Sequence, residues 1–204
     1  MNKILRKGML TLAGLAFAGG VVTGPTSAAL AAPQTIAAPA AVVQADKPAD
    51  NKPAKPAKDK LIPHGVQGKQ SHVKLNGEQV KNAKEIMAAT KKAGMDERAA
   101  VVAIATSLQE SKLENLGHLG ARNDHDSQGL FQQRPSSGWG TVEQITDPEY
   151  STTAFLKGLK NVKGWQDMPL TEAAQTVQVS AHPFLYAQWE TQAADLVAEH
   201  WNNS

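Results

Sequence analysis

The sequence contains no cysteine. That excludes disulfide stabilisation, thiol catalysis and a lipid anchor on an N-terminal diacylglyceryl cysteine. Aromatic residues are scarce and confined: of ten, all but Phe17 lie between Phe131 and Trp201. Residues 33–75 hold no Trp, Tyr or Phe and are rich in Ala, Pro and Lys. Such a stretch buries too little surface to offset its ordering entropy, so residues 32–75 read as a disordered, solvated tether. Long apolar runs are also lacking. The one over about residues 8–22 is shorter than the ~20 residues a membrane span needs. Lys3, Arg6 and Lys7 precede it and Ala29-Leu30-Ala31 follows it, which is the pattern of a secretory signal peptide over residues 1–31. The expectation is a protein released outside the membrane, with no stable membrane anchor after cleavage.

The net charge of +2 hides an asymmetry. Residues 33–75 carry seven Lys against three Asp, a balance of +4, whereas residues 76–204 carry eleven basic and sixteen acidic groups, a balance of −5. A basic tether would be drawn to anionic polymers, although a solvated linker needs no partner. An acidic domain without basic clusters excludes nucleic-acid binding.

Residues 76–204 suffice for one modest core. Val80, Ala83, Met87 and Thr90 share a face, which predicts a helix over about 78–93 that Gly94 stops. Asp96 stands where an N-cap belongs, and the run that follows, up to Leu108, is apolar or small on every side. A helix without a polar face is a buried helix, and this one ends at Gln109-Glu110-Ser111. The glycine-rich stretch 117–140 reads as loops with a short hairpin. Thr141-Val142-Glu143-Gln144 fits a capping box, and Asp147-Pro148 an N-cap with proline at the first helical position. Further helices are expected after Thr171 and over 183–201. The fold class is therefore all-α to α+β, helical with a small irregular or hairpin insert.

Glu110 is the candidate catalytic residue. At the end of the most apolar helix its carboxyl is partly desolvated and faces the negative end of the helix dipole, and both raise its pKa. Breaking a glycosidic bond requires a carboxyl that stays protonated near neutral pH, because the leaving oxygen must receive a proton. The alternative is a helix-end Glu pointing into water.

Glu110-Ser111, followed about twenty residues on by Ser127-Gln128-Gly129-Leu130-Phe131-Gln132, resembles the first two motifs of the soluble lytic transglycosylase and lysozyme-like superfamily. The continuation Gln133-Arg134-Pro135-Ser136-Ser137-Gly138-Trp139-Gly140 is similar to a subgroup common in secreted actinobacterial proteins. The resemblance covers about residues 78–201. It implies a lysozyme-like domain at 76–204 acting on peptidoglycan glycan strands, with Glu110 as general acid and base, no cofactor and no metal, in a cell-wall-associated monomer. It further implies that Ser127 and Gln132 line the glycan groove.

The third family motif, Ala-Tyr-Asn, departs here to Ala181-His182-Pro183, so His182 takes the tyrosine position. An imidazole there could support Glu110 and would bring pH dependence with it; Tyr186, four residues on, could supply the phenol instead. Asp124 and Asp126 are the candidates for a second carboxylate. If one faces Glu110, hydrolysis follows; if neither does, the sugar's own 6-hydroxyl attacks and leaves a 1,6-anhydromuramyl end. The second route is favoured because Ser127, not an Asp, stands two residues before Gly129. His118, Asp124, His125 and Asp126 could also be metal ligands. An EF-hand loop starting at Asp124 is excluded, since Pro135 falls where its bidentate Glu should be. Trp139 and Trp165 could stack on sugar rings or close the core edge. The rival to an enzyme is a non-catalytic peptidoglycan-binding or envelope scaffold module.

Overall fold

The computed structural model describes residues 54–204. The expected signal peptide and the tether as far as residue 53 lie outside the described residues. Seven α-helices follow one another: α1 (Lys58–Leu61), α2 (Gly77–Lys92), α3 (Glu97–Ser111), α4 (Val142–Ile145), α5 (Pro148–Lys160), α6 (Leu170–Gln178) and α7 (Glu190–His200). Among the described residues the only strand-like pairing is an isolated antiparallel bridge between Gln128 and Gln133. The domain is thus all-α, and the expected hairpin shrinks to that one bridge. No helix among the described residues is long and apolar enough to cross a membrane.

The helix starts follow the capping chemistry of the sequence. Asn76 accepts from the Gln79 amide while the Gln79 side chain accepts from the Asn76 amide. Asp96, Thr141 and Asp147 cap α3, α4 and α5 in the same way, and α4 has the full reciprocal box. Each cap satisfies backbone donors that would otherwise be orphaned, for about 1 kcal/mol.

Twelve of the fifteen residues of α3 are buried. It is the central helix, packed by α1, α2, α5, α6, α7 and a 3₁₀ segment at Leu185–Trp189. Its run of Ala, Val and Ile lets those neighbours approach from all sides, and each large buried aliphatic adds about 1.5–3 kcal/mol. On α2 the buried face turns slightly from the expected one: Gln79, Asn82 and Ile86 join Ala83, Met87 and Thr90, whereas Val80 is only half-buried. The helix expected over 183–201 is in fact the 3₁₀ segment followed by α7.

The start of the domain differs from the expected residue 76. Residues 58–75 do not form a free tether: their two ends pack on the helical body, while residues 63–69 between them are exposed. Leu61 and Ile62 are buried, and Val73 and Leu75 lie against the core. The Leu61 carbonyl accepts from Arg98 Nη1 at 2.8 Å, and the same nitrogen bonds Glu190 Oε1 at 2.7 Å in an ion pair whose side chains are 5% and 3% exposed. The segment lacks aromatics but not aliphatics, and four of these with a set of hydrogen bonds are enough to order it.

Candidate active site

Glu110 lies in the last turn of α3, and the chain leaves that turn through two left-handed residues, Lys112 (φ 58°) and Leu113 (φ 64°). Non-glycine residues hold that conformation only when their surroundings fix it. Here α2 does so: Gln79 Nε2 donates to the Lys112 carbonyl at 2.8 Å and Asn82 Nδ2 to the Leu113 carbonyl at 2.9 Å. Lys112 also returns its ammonium to the helix end, bonding the Leu108 carbonyl at 2.9 Å beneath the Trp189 ring, 4.7 Å from its centroid. A cation there complements the helix dipole.

Ser111 joins the helix end to the glycine loop. Its hydroxyl donates to the Leu130 carbonyl at 2.8 Å. The loop turns at Gly129 (φ 78°), where a Cβ would stand 2.0 Å from the Ile145 carbonyl oxygen, so no other residue fits. Phe131 stacks on Phe155 with centroids 5.1 Å apart. Gln132, also left-handed, folds its amide back to the Gly129 carbonyl. The two sequence motifs are therefore one structural unit.

The Glu110 carboxyl opens into a groove of about 630 Å³. Tyr186 donates its phenol to Oε1 at 2.7 Å, and Gln178 Nε2 donates to the same oxygen at 3.3 Å and to the Phe131 carbonyl at 3.0 Å. Burial pushes the Glu110 pKa above its ordinary value of 4.5 and the charge of Asp124 adds to this, while Tyr186, Gln178 and Lys112 pull the other way. Burial wins, as expected for a carboxyl denied water on most sides. Tyr186 is fully buried, and burial together with the neighbouring carboxylate raises its own pKa, so it stays a donor. The arrangement is a largely desolvated carboxyl, held from one side and open to a groove on the other.

The other expected residues divide. Ser127 and Gln132 line the groove, Ser127 at 4% exposure. His182 lines it too but is exposed, and its ring makes no hydrogen bond to Glu110; the phenol of Tyr186 occupies that place. Asp124 is on the groove wall, exposed, with its carboxyl bonded to His125 Nδ1 at 2.7 Å. Asp126 is committed elsewhere: Arg134 Nε, the Ser136 amide and the Ser136 hydroxyl bond it at 2.7, 2.8 and 2.9 Å. The Arg134 guanidinium, with Ser136, holds its carboxyl well below the usual carboxylate range. Asp126, unlike Asp124, does not line the groove. Trp139 borders the groove, whereas Trp165 is in the core. Among the described residues no three His, Asp or Glu side chains gather to hold a metal.

Sequence reasoning missed Gln178, Lys112 and Gln109. Gln109 Oε1 accepts from Trp189 Nε1 at 2.8 Å and from Gln188 Nε2 at 3.1 Å, which fixes the residue beside Glu110. Lys112 could have been read as a basic residue at a helix end. The two glutamines carry no local signal, because their partners are some seventy or eighty residues away. No protein-family model matches the chain, and no curated protein matches it either.

Proposed function

We propose that this chain is a secreted peptidoglycan-cleaving enzyme acting on the β-1,4 bond between N-acetylmuramic acid and N-acetylglucosamine. The observation that carries the reading is the Glu110 carboxyl, raised in pKa by burial and opening into a groove, with Tyr186 and Gln178 holding Oε1. Protonated Glu110 gives its proton to the glycosidic oxygen, the bond from that oxygen to C1 breaks, and positive charge develops at C1. The glutamate, now ionised, takes the proton of the muramyl 6-hydroxyl as that oxygen closes on C1. The product is a 1,6-anhydro end, and no water is consumed. The commitment of Asp126 to Arg134 and Ser136 favours this route.

A second reading rests on Asp124, which lines the groove and raises the Glu110 pKa by its charge. An exposed carboxylate lining the same groove as a buried one could stabilise the cation and direct water to C1, giving hydrolysis. Mass spectrometry of fragments released from purified peptidoglycan by the full chain and by Glu110→Gln tests both. Anhydromuramyl ends that vanish in the variant support the transglycosylase. Reducing ends that vanish in both Glu110→Gln and Asp124→Asn support the hydrolase. No release from walls that another muralytic enzyme digests would leave a glycan-binding or scaffold module.

A further inference from the structure

We propose that the segment around Gln70 and Ser71, upstream of the expected domain, positions the Glu110 carboxyl through the 3₁₀ segment that carries Tyr186. Leu185–Trp189 is five residues of 3₁₀ helix with no side-chain cap. Runs of that length have poor hydrogen-bond geometry and need support from outside. The support comes from residues 70–73. Gln70 Nε2 donates to the Ala187 carbonyl at 3.0 Å, and the Ser71 amide donates to the Gln188 carbonyl at 2.7 Å. Gln70 Oε1 accepts from the Thr191 amide and hydroxyl, both at 3.0 Å, and Val73 exchanges two bonds with the Gln192 side chain. The turn that bears Tyr186 is thus pinned just downstream of it on both sides of Trp189.

A side-chain relay continues inward. The Ser71 hydroxyl donates to Gln188 Oε1 at 2.7 Å, Gln188 Nε2 donates to Gln109 Oε1 at 3.1 Å, and Trp189 Nε1 meets the same oxygen. Gln109 precedes Glu110 in the chain, so the segment grips the acid from both sides: through Gln109 on α3 and through Tyr186 opposite it. Gln70 and Ser71 touch neither the groove nor Glu110; they act through other residues. Their importance for catalysis rests on the glycan-cleaving reading, but their effect on the carboxyl does not.

The test is a ¹³C NMR titration of the Glu110 carboxyl in the full chain, in Gln70→Ala, Ser71→Ala, Ser71→Thr and Tyr186→Phe, and in each alanine variant combined with Tyr186→Phe. The charged groups facing Glu110 are Lys112 and Asp124, with the phenol of Tyr186, and none is altered by the strap substitutions. Tyr186→Phe removes a bond that favours the ionised carboxyl, so its midpoint moves up. Gln70→Ala and Ser71→Ala are expected to move the midpoint in the same direction by less, and Ser71→Thr to restore it; in the Tyr186→Phe background the Gln70→Ala shift is expected to disappear and the Ser71→Ala shift, carried through Gln188 and Gln109, to remain. An unchanged midpoint with a lowered Tm would make the segment merely structural and overturn the proposal. A Gln70→Ala shift that persists without the phenol would overturn the route through Tyr186, and a Ser71→Ala shift that vanishes with it would overturn the route through Gln109. A full chain that releases no glycan yet shows these shifts would fell the enzymatic reading and leave this one standing.

Discussion

The floor of the groove and the loop beside it each hold a carboxyl, and their surroundings push the two in opposite directions. Glu110 ends a helix packed on every side; its two hydrogen-bond donors are a phenol and an amide, both neutral, and burial dominates its pKa. Asp126 sits in a glycine-rich loop, receives a guanidinium, an amide and a hydroxyl, and remains ionised far into acid. The first group is costly to ionise and so keeps its proton to a higher pH. The second is costly to protonate and so can tie a loop together. A carboxyl becomes reactive by being left short of partners and structural by being fully supplied with them.

The largest expected effect is on the groove side. Glu110→Gln should lower the rate of glycan release by roughly 10²–10⁴-fold, the usual worth of a positioned general acid, whereas Asp126→Asn should leave the rate near that of the parent. Gly129→Ala tests the joint between the two regions. A Cβ 2.0 Å from a backbone oxygen at a left-handed φ should cost about 3 kcal/mol, read as a fall in the urea midpoint. Tyr186→Phe should reduce the rate about tenfold, near the ~1.5 kcal/mol typical of a bond to a charged group, and should move upward the pH at which the rate falls as Glu110 loses its proton.

The smallest effects concern stability against pH, and there the two carboxyls should part in sign. The folded protein binds the Glu110 proton more tightly than the unfolded chain does, so that group costs nothing below its ordinary value of 4.5 and destabilises as pH rises above it. Glu110→Gln should therefore raise Tm at neutral pH, with the gain shrinking toward pH 4. For Asp126 the folded value lies below the ordinary 3.8, so its contribution is full above that pH and is lost as the pH falls from there through the lower folded value. Asp126→Asn should lower Tm slightly at neutral pH and not at all in strong acid. Matching signs for the two variants would break the comparison.

Much of this was legible from local pattern. The caps at Asn76-Gln79, Asp96, Thr141 and Asp147 are decided within one turn of chain, and the burial of α3 follows from its having no polar face. The position of Glu110 at the end of that helix carried its environment with it. What the sequence did not disclose was contact between distant segments. Gln178 and Gln109 look like any surface glutamine until the fold brings Glu110 and Trp189 to them. The strap at 70–73 was hidden for a related reason: its composition offers no aromatic surface, while its order comes from hydrogen bonds, most of them between a side chain and a backbone group, to residues 187–192. Of the two side chains the sequence offered beside Glu110, His182 and Tyr186, it is Tyr186 that reaches the carboxyl, from a buried position four residues on.

Both donors that hold Glu110 bond one and the same oxygen. An oxygen already accepting two hydrogen bonds is a poor seat for a proton, so in the neutral acid the hydrogen resides on Oε2. The carboxyl is therefore handed: its two oxygens have different jobs before any ligand arrives. Whatever accepts that hydrogen must approach along the Oε2 lone-pair direction, in the plane of the carboxyl. That handedness is set by the placement of one phenol and one amide.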